Sequence, residues 1–347
     1  MILGMTRSAG LLEASEVALE TKVAFLSRTE SYPDPATLVE AKETHMSWVF
    51  LTDAFAYKLK KPVRTDFLDF STLAARRLNC EREVQLNRRL AADVYLGLTA
   101  LTVDDRGQLH LDGVGEPIDW LVKMRRLPAW RCLENMIAAG GVHEADIRRL
   151  ALRLTEFYET APRLSGDSED YRRRFETGIR NDRSELVRPA YDLPKRLVDK
   201  IASRLQEYVD RHGAELEKRA ARVVEGHGDL RPEHVFLTAQ PVVTDCLEFN
   251  RDFRLRDPAD ELAYLAMECD RLGAPLIETW LFDVYRIRTS DEPASGLLLF
   301  YKGCNAFQRA AIAIRHLDEP HVRDRSKWIG RTDQYLRLAQ KYLGQIS

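Results

Sequence analysis

Cysteine is scarce in this chain of 347 residues: Cys80, Cys132, Cys246, Cys269 and Cys304 form an odd, scattered set of five with no C-x-x-C pair. That argues against a disulfide framework or a structural zinc site and fits a reducing compartment. Net charge is nearly absent as well, with 52 Lys+Arg against 54 Asp+Glu. No global field therefore favours a nucleic acid or an anionic membrane as partner. Long apolar runs are missing. The most apolar stretch, Leu297 to Leu317, is interrupted by Lys302, Asn305, Gln308 and Arg309, groups that a bilayer would bury at high cost, so a buried amphipathic helix is expected there. The first residues, MILGMTRSAGLLEASE, are too short and too polar for a secretory h-region, and the expectation is a cytoplasmic protein. There is no internal repeat and no low-complexity linker.

What is present is an ordinary globular composition, 45% apolar and 31% charged, in a chain long enough for two lobes with cores of their own. Residues 15–29 have the pattern of an amphipathic helix, ended by Tyr32-Pro33-Asp34-Pro35. Strands are expected at Trp48–Thr52 and Ala56–Val63, and then a helix capped by Ser71 and running to about Leu90. Two more strands follow, Thr99–Val103 and Ile118–Met124, with the turn Asp105-Arg106-Gly107 between them. The first third is thus β-β-α-β-β, closed by Leu127-Pro128. Beyond it the pattern is mainly helical. Ile147, Leu150, Ala151, Leu154, Phe157 and Tyr158 recur at helical spacing, the stretch 163–190 is charged enough for a solvated helix or loop, and 195–221 is another charged helix. A short β island spans roughly 222–249, with runs at Val223-Val224, Val235–Thr238 and Val242–Phe249.

That island carries the most informative segment, His227-Gly228-Asp229-Leu230-Arg231-Pro232-Glu233-His234-Val235-Phe236-Leu237. Asp229 sits in a turn after a short strand, His234 follows five positions on, and Asp245 stands sixteen positions on inside an apolar run. An aspartate buried in a strand needs neutralising, and a divalent cation is the usual partner. The pattern H-x-D-x-x-x-x-N followed by an Asp on the next hairpin is the catalytic loop of kinases, matched here with one exception. The form H-G-D-L-x-P-x-x-V, together with Asp257-Pro258-Ala259-Asp260-Glu261-Leu262-Ala263, resembles aminoglycoside phosphotransferases and choline kinases more than protein kinases. The resemblance covers most of the chain. It is similar to a bacterial branch in which such a domain occurs alone or fused to a P-loop ATPase domain. No G-x-x-x-x-G-K-[ST] occurs here, so the kinase-like domain is expected without that partner.

The resemblance implies a protein kinase-like α+β fold with a small β-rich lobe over residues 1–128 and a larger, mainly helical lobe over 129–347. It implies transfer of the γ-phosphoryl group from ATP to a hydroxyl of a small molecule, with Asp229 as catalytic base and Asp245 as the principal Mg²⁺ ligand. His234 is the exception, standing where the pattern has Asn. An imidazole can bind a divalent ion, but Mg²⁺ prefers oxygen, which makes Mn²⁺ an alternative cofactor. The same departure keeps a nucleotide-binding pseudokinase as an alternative, beside a kinase that acts on a protein. Asp257, Pro258 and Asp260 have a structural reading as N-cap, first helical residue and acid at the positive helix end. By resemblance, an acid there also steadies the catalytic loop.

In the small lobe a basic residue must reach the phosphates. The A-x-K pattern of kinases points to Lys58, and the hydrophobic-Leu-basic-x-Pro pattern of small-molecule phosphotransferases to Lys60. Strand alternation puts both on one face, and the choice stays open. Glu83, seven residues before Leu90, is preferred over Glu81 as the acid that anchors the lysine. No glycine-rich loop precedes the strand pair, and Thr44 and Ser47 are the candidates for covering the phosphates. The purine is expected to meet backbone around Val122–Arg125, at Met124. Arg172–Arg174 and Arg251, Arg254 and Arg256 are weighed as holders of an anionic acceptor against solvated surface. The acceptor itself is not legible, nor is the oligomeric state.

Overall fold

The computed structural model describes residues 17–65, 68–163, 168–318 and 324–346. They divide into two compact units, one of residues 1–127 joined by 248–250, the other of residues 128–247 and 251–347.

The first unit contains helix α1 (Leu19–Leu26), strands β1 (Glu40–Glu43), β2 (Ser47–Leu51) and β3 (Phe55–Lys60), and the two-residue pair β4 (Arg64–Thr65) and β5 (Leu68–Asp69). Helix α2 (Leu73–Ala91) and strands β6 (Tyr95–Val103), β7 (Leu109–Leu111) and β8 (Glu116–Arg125) complete it. Six strands form one antiparallel sheet in the order β1-β2-β3-β8-β6-β7. Alternation along β2, β3, β6 and β8 sends Phe50, Tyr57, Leu59, Leu101 and Leu121 into a core shared with Leu26 of α1, and Ile118 joins it where the β6–β8 register shifts by one residue. Two bonds tie the helices to the sheet through buried Asp119, which accepts from Lys22 Nζ and from Arg76 Nε, both at 2.8 Å.

Three expectations need correction here. Strand β1 was not foreseen because all four of its residues are exposed, so it has no apolar alternation to betray it. The α2 cap is Thr72, whose hydroxyl accepts from the Ala75 amide at 3.1 Å. The Ser71 hydroxyl instead donates to Asp69 at 2.6 Å. Helix α1 is also shorter than the 15–29 span, of which residues 15 and 16 lie outside the described residues.

The second unit is helical around a β island. Its helices are α3 (Leu133–Ala138), α4 (Glu144–Thr160), α5 (Ser168–Leu186), α6 (Lys195–Arg219), α7 (Pro258–Arg271), α8 (Leu276–Thr289), α9 (Ser295–Arg315) and α10 (Arg325–Leu343). The island consists of β9 (Val224–Glu225) paired with β12 (Leu255–Arg256), and β10 (Val235–Phe236) paired with β11 (Val242–Val243). The helical spacing on α4 buries all six residues that revealed it. Helix α5 is not merely solvated. Tyr171, Ile179 and Leu186 are buried at turn-by-turn spacing, and the arginines occupy its other faces. Helix α9 is the amphipathic helix expected over the apolar stretch. Its buried Lys302 is neutralised by Glu278 at 2.5 Å and its Asn305 donates to Asp260 at 2.8 Å. Among the described residues no helix is long and apolar enough to cross a membrane.

Candidate functional site

In the first unit, strand β3 and helix α2 assemble a buried charge cluster. Alternation places Lys58 and Lys60 on one face of β3, and the 3.6-residue repeat brings Arg76, Cys80, Glu83 and Asn87 to one face of α2. Lys58 Nζ donates to Glu83 Oε1 at 2.9 Å and Lys60 Nζ to Glu83 Oε2 at 2.6 Å. Lys60 also donates to Glu248 Oε1 at 2.6 Å. Burial opposes the charge on Lys60, but Glu248 and Glu83 outweigh it and hold the ammonium well above the usual lysine range. The two lysines differ in access: the Lys60 side chain is 1% exposed and that of Lys58 14%. Glu81 stays on the outer face of α2, paired with Arg77.

Ser47 opens β2 directly across from Lys60. It is reached by the turn that begins at Thr44, whose hydroxyl accepts from the Ser47 amide at 3.0 Å. The Thr44 side chain thus closes the turn between β1 and β2. Met124 lies on β8 between Ala56 of β3 and Tyr95 of β6.

In the second unit the segment after β9 is shaped by glycines and one buried acid. Gly228 has φ +87°, and a Cβ there would meet the carbonyl oxygen of Phe253 at 3.1 Å. Glu261 of α7, fully buried, accepts from the amides of His227 (2.9 Å) and Gly228 (2.6 Å) and from the Tyr158 hydroxyl (2.9 Å). The acid that steadies the loop is therefore Glu261. Asp257 caps α7 by accepting from Ala259 and is otherwise taken by Arg219 and Tyr301, while Asp260 is bound to Arg256 and Asn305.

His227 joins the loop to the next hairpin. Its Nε2 faces the carbonyl oxygen of Thr244 at 3.0 Å, so that nitrogen carries the proton, and Nδ1 accepts from the Asp229 amide at 3.3 Å. Burial pushes its imidazole down to about 4, against the pull of Glu261, and the ring is neutral.

Asp229 is held from two sides. Arg231 donates to Oδ2 at 2.8 Å and the Tyr264 hydroxyl to Oδ1 at 3.0 Å. Burial would raise this carboxyl, but the charges of Arg231, His234 and Arg309 outweigh it and keep Asp229 well below the usual range, ionised. His234 Nδ1 faces the Asp229 carbonyl oxygen at 2.8 Å, which makes it the donor. Its Nε2 lies 3.4 Å from Arg231 Nη2 and 3.6 Å from Asp245 Oδ2.

Asp245 departs from the expected strand interior. Strand β11 ends at Val243, and Asp245 adopts φ +63° with a side chain 47% exposed. The bond Thr244 N to His234 O (2.9 Å) continues the β10–β11 pairing by one step, and beyond it Leu247 N donates to His227 O at 3.2 Å. A left-handed aspartate is a strained residue held by its surroundings, a feature that concentrates at functional sites.

The structure thus brings Asp229, His234 and Asp245 together in the second unit, and Lys58, Lys60 and Glu83 in the first. Sequence reasoning missed Glu248, Glu261, Tyr264 and Arg231. Arg231 lies within the motif itself and its charge could have been used. Nothing local marks Glu248, which lies 188 positions from Lys60. Five of the six arginines weighed for an anionic acceptor are already paired with acids. Arg172 pairs with Glu176 and Glu217, Arg173 with Glu169 and Asp170, Arg251 and Arg254 with Glu225, and Arg256 with Asp260.

No protein-family model matches the chain. Uncharacterised proteins of Mycobacterium tuberculosis and Mycobacterium bovis are 32% identical to it over 286 residues, 79% of this chain and 54% of theirs. The chain spans about half the length of the curated relatives it matches. Among solved structures, a choline/ethanolamine kinase family protein from Mesorhizobium loti aligns with TM-score 0.53 and 15% identity over 94% of this chain and 98% of that one. A choline kinase from Cryptosporidium parvum aligns with TM-score 0.53 and 10% identity, over 94% and 97%. LicA in complex with AMP aligns with TM-score 0.51 and 14% identity, over 90% and 94%. At such identities the likeness establishes the fold. It is a kinase-like two-lobed α+β fold, shared with these choline kinase structures.

Proposed function

We propose that this protein is an ATP-dependent phosphotransferase that passes the γ-phosphoryl group to a hydroxyl of a small molecule. The observation that carries the reading is the hairpin geometry: an ionised Asp229 fixed by Arg231 and Tyr264, with Nε2 of His234 turned toward a strained, accessible Asp245. Asp229 has the role of orienting the attacking hydroxyl and accepting its proton. A carboxylate of low basicity suits this reaction, because the loose transition state needs little proton abstraction before transfer. Lys58 and Lys60 supply positive charge for phosphate oxygens. Ser47 and Met124 keep the phosphate-covering and purine-facing roles by position on the sheet.

The donor set fits a divalent cation. Asp245 offers a hard carboxylate, and His234 has its tautomer fixed by a backbone carbonyl, as metal-bound histidines do. Two protein ligands are what Mg²⁺ takes when phosphates and water complete its shell, and among the described residues no group of three or more acidic, His or Cys side chains is arranged as a cage. When bound, the cation would neutralise the phosphate oxygens. That an AMP complex exists for a protein of this fold supports a nucleotide as the phosphoryl donor.

The test has two steps. Mg-ATP should raise the melting temperature of the wild type, as any ligand selective for the folded state does, and Asp245→Ala should lose most of that shift. An untargeted screen of small hydroxyl compounds for ATP-dependent gain of one phosphoryl group then identifies the acceptor. An unchanged melting curve at millimolar Mg-ATP removes the proposal. Stabilisation without turnover on any compound or protein would leave a nucleotide-binding protein that lacks transferase activity.

A further inference from the structure

The second unit holds a cavity of about 120 Å³ apart from the catalytic loop, walled by α5, α6, α9 and the start of α7. Helix α5 contributes Tyr171, Arg174, Phe175 and Asp182 to its lining, all on one face by helical spacing. Two of these charges lack the ionic partners that their neighbours have. Arg174, an exposed residue, donates to the backbone carbonyls of Leu255 (2.8 Å) and Asp252 (3.1 Å), and among the described residues no carboxylate stands at ion-pair distance from it. Among the described residues Asp182, partly buried, makes neither a hydrogen bond nor an ion pair. The remaining charges in the lining are matched, Arg256 with Asp260. Gln308, at the exposed rim, also makes no hydrogen bond within the protein.

An unmatched cation and an unmatched carboxyl therefore line one cavity, separated along α5 by eight residues, which is about 12 Å between Cα atoms. Phe175 and Ile179 supply apolar wall between them, with Tyr171 packed edge to face on Phe175. A simple cation would leave Arg174 unanswered, and a simple anion would leave Asp182 so. An α-amino acid carries both charges on one carbon and is too short to meet both. The volume is close to that of cavities that hold about six to eight non-hydrogen atoms.

We propose that this cavity binds a small zwitterion with charges at its two ends, the ammonium group at Asp182 and the carboxylate at Arg174. The chemical class is an ω-amino acid with a short methylene chain along the aromatic wall. The proposal concerns binding and stands whether or not the catalytic loop transfers phosphate. Burial pushes the Asp182 carboxyl up to about 7, with Arg315 of α9 opposing the rise and Glu185 of α5 adding to it. Cys304 of α9 is the other titratable group that senses it. The ammonium end should accordingly bind more tightly as pH rises through neutrality, while the carboxylate forms.

The experiment is calorimetric titration of the full chain with 4-aminobutanoate and 5-aminopentanoate, using glycine, butylamine and butanoate as comparison probes. The two ω-amino acids should bind at least about tenfold more tightly than any single-charge probe or glycine, the scale of one charged hydrogen-bonding contact. Asp182→Asn should weaken the zwitterions and butylamine and abolish the gain between pH 6 and 8. Arg174→Gln should weaken the zwitterions and butanoate and leave butylamine alone. Asp182→Asn should keep the wild-type melting temperature, whereas Arg174→Gln gives up two exposed hydrogen bonds to the carbonyls of Leu255 and Asp252 and should lower it only slightly. Equal affinity of the wild type for all five probes overturns the proposal without reference to any variant, as does zwitterion binding that survives both substitutions.

Discussion

Two groups of charged side chains, one in each unit, are built on opposite terms. Around β3, Lys58, Lys60, Glu83 and Glu248 form two cations against two anions, with Lys60 and Glu83 sealed from solvent and Glu248 at 9% exposure. Around the 226–245 hairpin the charges are unequal in access. Arg231 and His234 are drawn inward onto Asp229, whereas Asp245 is turned out in a left-handed conformation with 47% of its side chain exposed. The first cluster is complete as it stands, and its energy lies in matched burial. The second spends conformational energy to keep a carboxylate accessible. Removing a sealed residue from the first should therefore be felt mainly as stability, and removing one from the second mainly as function.

The sharpest test of that contrast is Asp229→Asn. The amide keeps the size of the side chain and can still accept from Arg231 or Tyr264, so the fold and the Mg-ATP-induced rise in melting temperature should persist. Phosphoryl transfer to the acceptor found by screening should fall by roughly 10²–10⁴-fold, the scale of a positioned general base. Steady-state rates of the purified variant decide the matter; full turnover would show that Asp229 has another role.

The opposite behaviour is expected at Lys60. Lys60→Ala takes from buried Glu83 and Glu248 the ammonium that bridges them, and breaking a buried pair from one side costs about 3–5 kcal/mol. Lys58→Ala should cost less, because Lys60 still bridges both acids. Urea denaturation of the two variants measures the difference. Lys58 is the more accessible of the two, so its loss should reduce the nucleotide-induced shift more than it reduces stability. Equal destabilisation by the two substitutions would undo the distinction between a sealed and an accessible lysine.

How much of this was legible beforehand follows the reach of each interaction along the chain. Asp229, His234 and Asp245 lie within one short segment, and Lys58, Lys60 and Glu83 stand on elements whose periodicity is visible, so their assembly could be anticipated. Glu248 could not, since its bond to Lys60 spans 188 positions. The conformation of Asp245 was hidden for another reason. Valines before it and apolar residues around it have strand propensity, but the chain leaves the ladder after Thr244, and Leu247 donates to the His227 carbonyl instead. The buried face of α5 was masked by its high charge, and β1 by having no apolar residue facing a core. At α7 the cap was readable, yet three acids within five residues left open which of them holds the loop. Only the structure shows that Asp257 and Asp260 are spent on Arg219 and Arg256 while Glu261 meets the amides.

Glu261 is where the comparison can be refined most finely, because it belongs to the functional unit yet has the burial of the structural cluster. Its two oxygens serve three donors, the amides of His227 and Gly228 and the Tyr158 hydroxyl. Glu261→Gln keeps one carbonyl oxygen for the amides but presents an NH₂ where a second acceptor stood. The Tyr158 hydroxyl can rotate and accept from that NH₂, whereas a backbone amide cannot. One loop N–H is therefore left with a weakened partner, and the expected loss is about 1–3 kcal/mol, the usual scale for an under-satisfied buried donor. The loss should be local. Hydrogen exchange at the amides of His227 and Gly228 should quicken, while amides in the sheet of the first unit keep wild-type protection. If Glu261 only fills space, the variant should melt like the wild type with unchanged exchange throughout. If it fixes the loop that carries Asp229, the turnover rate should fall along with that protection, and by less than Asp229→Asn causes.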